Sequence, residues 1–165
     1  MFREMRRIKC KLSDDAAEKI LREGLFGVLA LAGENDYPYA VPINYAYADG
    51  KIYFHSAMKG HKLEAIKNNP NASFCVVDKH EVVAEEFTSY YTSVIAFGKM
   101  RIADNDDEKI WGLKLLAEKY SPNESDEHRD KEIYGKLNAL VVPIFEIEHL
   151  TGKAARELIR RGDIQ

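Results

Sequence analysis

The sequence is poor in the features that mark secreted, membrane-embedded or metal-bound chains. Cysteine is almost absent: Cys10 and Cys75 are the only two in 165 residues, and they form no C-x-x-C pair. They are read as reduced thiols, Cys75 within a buried strand, and not as a disulfide or a catalytic nucleophile. No apolar run is long enough to cross a bilayer. The basic opening MFREMRRIK lacks the continuous apolar segment a secretory signal needs, so a cytoplasmic chain without membrane contact is expected. There is no H-E-x-x-H pattern, and His55 and His61 lack a third ligand, so no metal site is expected. No Gly-rich phosphate loop is present, and no G-x-G-x-x-G follows a strand. Ser56 and Ser93 lack the G-x-S-x-G setting, and no acid–base pair of carboxylates stands out. A net charge of −3 gives no electrostatic reason to expect nucleic acid. If this chain is an enzyme, a cofactor carries the reaction, and the protein holds and tunes it.

Composition is otherwise ordinary for a globular protein, 45% apolar and 31% charged. The length suits one domain, 1–165, with a real core, and no repeat, low-complexity segment or linker interrupts it. Ser13 followed by Asp14 and Asp15 predicts a helix start, and Gly24 its stop. FGVLALA (Phe26–Ala32) predicts a strand. A second runs from Tyr37 to about Ala48, and Pro38 and Pro42 place it on an edge or at a bulge. Asp49-Gly50 predicts a two-residue hairpin into Lys51–Ser56. A short helix from Gly60 to Asn69 follows, ended by Pro70. Ala72–Val77 predicts a buried strand, and Lys79–Thr88 a polar loop forming part of a lid or dimer contact. Tyr90–Ile102 predicts a long strand bent at Gly98. A helix follows Asp104–Asp107, another starts at Ser121-Pro122-x-Glu124, and the last strand spans Ala139–Glu148. Thr151 is expected to cap a final helix that stops at Gly162. Short connections between strands favour a small, partly open antiparallel barrel.

The chemically suggestive stretch is Tyr37–Leu63. Ser56, Ala57 and Gly60 are small enough to let a ligand approach the backbone. A helix opening there exposes unpaired N–H groups, and Lys62 adds a cation. This suits the phosphate of an aromatic cofactor, although Lys62 also reads as a solvated surface lysine. His55 reads as a hydrogen-bonded strand histidine, with a place beside a flavin or on a haem iron as alternatives. His61 reads as a capping or surface residue, and His80, His128 and His149 as surface residues. Tyr37, Tyr39, Tyr45, Tyr47, Tyr53, Tyr90 and Tyr91 suit a core with a wet rim, or the walls of a slot for a planar ring.

YPYAVPINYAY (37–47), IYFHSAMKGHKLEAI (52–66), SFCVV (73–77), SVIAFG (93–98) and EHLTGK (148–153) together resemble the pyridoxamine 5′-phosphate oxidase-like split-barrel flavoproteins, and within them the Nim family of 5-nitroimidazole resistance proteins. The resemblance implies a mainly β fold with added helices: a six-stranded antiparallel split β-barrel, homodimeric, with FMN (or FAD) at the subunit interface. It implies that Val41, Pro42, Ile43 and Asn44 lie along the isoalloxazine. His55, Ser56 and Ala57 would flank the ring and ribityl chain, His61 and Lys62 would bind the phosphate, and Ser93 and Val94 would approach from the partner. His55 is the candidate catalytic side chain. The implied activity is reduction of a small electrophile such as a 5-nitroimidazole by NAD(P)H, the alternative being a non-catalytic flavin or haem carrier or sensor. VPIN replaces the arginine-bearing strand of the pyridoxamine phosphate oxidases, so oxidation of that compound is not implied.

Overall fold

The structure is a computed structural model that describes residues 2–162 and 164. Ser13 caps helix α1 (Asp14–Glu23), accepting the Ala16 N–H at 3.2 Å. The face of α1 carrying Ala17, Ile20 and Leu21 closes one end of the barrel core with Leu29, Phe54, Phe74 and Phe145. Gly24 does end this helix, but with extended dihedrals. Its need for glycine is space: a Cβ there would lie 2.7 Å from the Tyr45 hydroxyl.

The main sheet contains β1 (Phe26–Ala32), β2 (Pro38–Asn44), β3 (Ala46–Ala48), β4 (Lys51–Tyr53), β6 (Asn71–Val83), β7 (Thr88–Ile102) and β9 (Pro143–Ala154). Its order is β2-β1-β6-β7-β9-β4-β3, every pairing antiparallel. A small ladder pairs β5 (Ser56–Ala57) with β8 (Leu140–Val141). The main sheet therefore has seven strands where six were expected. The single strand expected from Tyr37 to Ala48 breaks at Tyr45 into β2 and β3, the two outermost strands of the sheet. Only one residue joins these opposite edges, so the sheet curls into a barrel that is split along that seam.

The Asp49-Gly50 turn takes positive φ at both residues (50° and 74°), as its hairpin requires. At Gly98 the β7–β9 register shifts, and a Cβ would stand 1.9 Å from the Glu146 carbonyl oxygen, which fixes both the bulge and its residue. Three expectations fail. Lys79–Thr88 is not a loop: β6 and β7 stay paired out to Val83 and Thr88 as an exposed arm around the turn Ala84–Glu86. Thr151 lies within β9 opposite Ile95, and the final helix α5 (Arg156–Arg161) begins after Ala155, though it does stop at Gly162. Ser125, one turn beyond Ser121, caps helix α4 (Asp126–Lys136). In the first two, ladder hydrogen bonds override local polarity; in the last, the same capping chemistry acts at a neighbouring serine. The last strand also breaks at Val142, between β8 and β9.

Helix α3 (Asp106–Tyr120) packs with α4 against the outside of the barrel, through Leu113 and Ile133 on Tyr53, Val142 and Ile144. Arg101 of β7 clamps it: the guanidinium donates to Glu108 at 2.5 and 2.7 Å and to Glu146 at 3.0 Å. Hydrogen bonding from Arg101 holds the Glu108 carboxyl down to about 2. Among the described residues no helix is long and apolar enough to cross a membrane.

Two outcomes follow for stability. The buried Tyr45 hydroxyl donates to the Leu21 carbonyl at 2.8 Å, so Tyr45→Phe is expected to lower unfolding free energy by about 1–2 kcal/mol; an unchanged urea midpoint would refute this. Glu108 has a folded pKa below its unfolded value, so its contribution is complete above about 4.5 and is lost as pH falls towards 2. Urea midpoints measured across that window should fall more steeply for the native chain than for Glu108→Gln.

Candidate functional site

The site forms where β2, the β4–β5 connection and α2 (His61–Asn68) meet. β2 is an outermost strand: β1 occupies one edge, and among the described residues the other edge has no ladder partner. Pro38 and Pro42 suit this position because a proline on an open edge withholds a donor that aggregation would use. Along β2 the side chains alternate. Val41 and Ile43 turn towards the barrel core, whereas Pro42 and Asn44 are exposed on the outer face. The VPIN segment thus offers a ligand two side chains and an edge of backbone.

Helix α2 opens at Gly60, whose φ of 144° suits glycine and whose Cβ direction is open space. No side chain caps this end, which leaves the first N–H groups pointing outward with the positive end of the helix dipole. His61 stacks on Tyr39, with ring centroids 4.2 Å apart. Lys62 is half-buried, and among the described residues it has neither an ion pair nor a hydrogen bond; its desolvation pushes the ammonium pKa below the usual value. Lys119 makes the contrast clear. It too is desolvated, with its pKa pushed down to about 8, but it donates to the Gly24 carbonyl and sits 4.1 Å from the Tyr45 ring centroid.

His55 follows β4. Although the residue is exposed on one side, desolvation of its ring, and then the nearby Lys62 charge, lower its pKa and so favour the neutral imidazole. Ser56 and Ala57 are held opposite Val141 and Leu140 by the β5–β8 ladder. The structure thus brings His55 and Lys62 into electrostatic reach of each other, with Ser56 and Ala57 between them in the chain. Ser93 and Val94 lie on β7, three strands along from β2. Ser93 is half-exposed, whereas the Val94 side chain is fully buried in the core, so only its backbone can meet a ligand.

Sequence reasoning missed a hollow of about 240 Å³ that runs from His55 between α3 and α4. Leu113, Ala117, Ile133 and Leu140 make it apolar, and Glu124, His128 and Arg129 stand at its rim. Its walls come from segments up to 85 positions apart, so no local pattern announces it. His149 departs from its expected surface role. Its ring stacks on Phe2 at 4.9 Å, and its Nε2 is buried with no hydrogen-bond partner among the described residues.

One end of this site has the chemistry of an anion site: an uncapped helix start, a desolvated ammonium without a partner among the described residues and an open approach at Gly60. Comparison with known proteins agrees with the fold. The chain belongs to the pyridoxamine 5′-phosphate oxidase family, whose profile matches residues 13–154. Among solved structures it is similar to a conserved hypothetical protein of Mycobacterium tuberculosis, at 19% identity and a TM-score of 0.81, over 94% of this chain and 92% of that one. It is also similar to a candidate 5-nitroimidazole antibiotic resistance protein of Bacteroides thetaiotaomicron (21% identity, TM-score 0.70, covering 86% and 84%). A third similar structure is an FAD-binding protein of Mesorhizobium loti (25% identity, TM-score 0.60, covering 88% and 96%).

The His55–Lys62 pairing yields a direct check. In proton NMR the His55 ring should titrate below the ordinary value of about 6.5, and Lys62→Met should raise its midpoint without fully restoring it, because burial remains. A midpoint insensitive to Lys62→Met would separate the two side chains.

Proposed function

We propose that this chain is a homodimeric flavoprotein that binds FMN, with FAD as the other flavin the site admits, and reduces a small electrophile such as a nitroaromatic with electrons from NAD(P)H. The observation that carries the reading is the start of α2, where Gly60, free N–H groups and the unpaired Lys62 converge. When bound, the flavin supplies two-electron transfer between a nicotinamide and the electrophile.

The chain's residues bind and orient. Lys62, His61 and the α2 N–H groups take the phosphate through charge-assisted hydrogen bonds, which also relieves the desolvation of the Lys62 ammonium. The open edge from Val41 through Pro42 and Ile43 to Asn44 offers backbone donors and acceptors to the polar side of the ring. His55, Ser56 and Ala57 line the ring and ribityl chain. In its neutral form, which the lowered pKa favours, His55 presents one N–H and one lone pair, and it is the candidate for handling a proton. The apolar hollow beside it is small against ordinary ligand pockets of about 300–1,000 Å³, which favours a compact ring compound as substrate.

A ring laid on Pro42 and Asn44 is covered on one side only, so the second wall is assigned to another copy, with Ser93 and the Val94 backbone supplied from it. The outer sheet face supports this assignment. Pro42, Val28, Cys75, Ile95 and Thr151 align in one register row across five strands, with Phe97 and His149 facing each other in the next. Val28, Ile95 and Phe97 are each about 40% exposed, an apolar face of the kind that marks an interface. The names of the Mesorhizobium and Bacteroides structures lend support to the flavin and the nitroimidazole respectively.

Lys62→Ala is expected to weaken FMN binding by about 10- to 100-fold, the loss of one charge-assisted phosphate contact. Unchanged affinity in a fluorescence titration would remove Lys62 from the site. Anaerobic NADPH or NADH should then bleach the flavin bands of the reconstituted protein, and a nitroimidazole should restore them. A flavin that neither nicotinamide bleaches would point to a carrier, and a Soret band to haem.

A further inference from the structure

A second region of concentrated charge lies away from α2. The turn Ile8–Cys10, the start of β7 and the junction of β9 with α5 enclose a groove of about 650 Å³. Arg6, Arg7, Lys9 and Arg156 line it, with Glu157 as the sole carboxylate among its lining residues. The chain as a whole has more acids than bases, so this local excess of cations runs against its composition. Some cations elsewhere meet a carboxylate: Arg101 with Glu108, Lys114 with Asp130, Arg129 with Asp126 and Lys136 with Glu132. Among the described residues Arg6, Arg7, Lys9 and Arg156 form no ion pair. Lys153, which is not itself a lining residue, places its Nζ 5.3 Å from the ring centroid of Tyr91, which is one.

The backbone around these charges is fixed. Cys10 is buried, and its N–H donates to the Arg7 carbonyl at 2.8 Å. Leu12 N–H donates to Gly152 at 3.0 Å, and Ala155 N–H donates to the Tyr91 carbonyl at 2.8 Å. Helix α5 packs on the turn. The backbone that carries these exposed side chains is therefore fixed by packing. Thr88, Ser89 and Tyr91 add hydroxyls to the same wall. Guanidinium groups match phosphate oxygens two at a time, and a groove of this volume exceeds what one inorganic phosphate fills.

We propose that this groove binds a small organic polyphosphate, a nucleoside diphosphate or its diphosphate group, and that this binding is independent of the flavin reading. The test is calorimetry on the full chain with ADP, pyrophosphate and adenosine, for the native protein, Arg6→Gln/Arg7→Gln and Lys62→Ala. Both exchanged arginines are exposed, so folding is not at stake. Both anions should bind and adenosine should not. The double variant should bind ADP at least about tenfold more weakly while holding FMN as the native chain does, and Lys62→Ala should leave ADP affinity unchanged. The proposal is overturned if neither anion binds at physiological ionic strength, or if adenosine binds as well as ADP. It is equally overturned if only Lys62→Ala abolishes binding, or if a single-stranded oligonucleotide binds and ADP fails to displace it.

Discussion

The closure of the barrel rests on how Tyr45 is held. This residue is the single link between the two outermost strands, which no ladder joins. Its side chain is fully buried, with the hydroxyl on the last turn of α1 and the ring edge-on to Phe74. Its backbone is held from α3: the N–H donates to the Tyr120 hydroxyl at 2.9 Å, and that hydroxyl lies within bonding reach of the Tyr45 and Leu25 carbonyls. Lys119, one residue before Tyr120, donates to the Gly24 carbonyl beyond the end of α1 and covers the Tyr45 ring. A missing strand-to-strand ladder is thus replaced by two tyrosines and a lysine that tie α1, α3 and the seam together. Burial pushes Tyr45 up beyond its ordinary phenol range, so the hydroxyl keeps the proton it donates.

The same constraint accounts for the shape of the candidate site. Because the seam is pinned by side chains at one residue, β2 keeps a free backbone edge along the rest of its length, and α2 enters beside it through the His61–Tyr39 stack. A fully laddered barrel would have spent that edge on hydrogen bonds. The binding surface is therefore a consequence of incomplete closure, and the rigid Tyr45 link keeps the incomplete edge from opening further.

What could be read from the residues was what local chemistry decides. The Ser13 cap, the Asp49-Gly50 turn, the end of α2 before Pro70 and the bend at Gly98 each depend on a few adjacent residues or one missing side chain. Lys62 at a helix start was visible for the same reason. What depends on distant partners was not visible. The break at Tyr45 is set by Tyr120, 75 positions away; the ladder extends through Lys79–Val83 because β7 lies opposite; Thr151 is a strand residue because it faces Ile95. Gly24 shows a correct boundary with a different cause, since the crowding atom is the Tyr45 hydroxyl. The apolar hollow was hidden because its walls are drawn from separate segments, and the basic opening MFREMRRIK was visible without the β7 and α5 residues that complete a groove around it.

Charge placement separates scaffold from site. Where the chain needs only to be held together, opposite charges meet, as in the Arg101 clamp on α3, and each group's remaining hydrogen-bonding capacity is largely spent within the chain. At Lys62 a cation is desolvated without that compensation. Around Arg6, Arg7, Lys9 and Arg156, cations are gathered where composition favours acids. Neither arrangement adds an ion pair to the fold, and the first carries a desolvation cost. An anion would meet cations without a partner in both places, and in both the surrounding backbone is already fixed, which leaves side chains as the groups to be ordered on binding. Only the first of the two sites lies beside an open strand edge able to meet a planar ring.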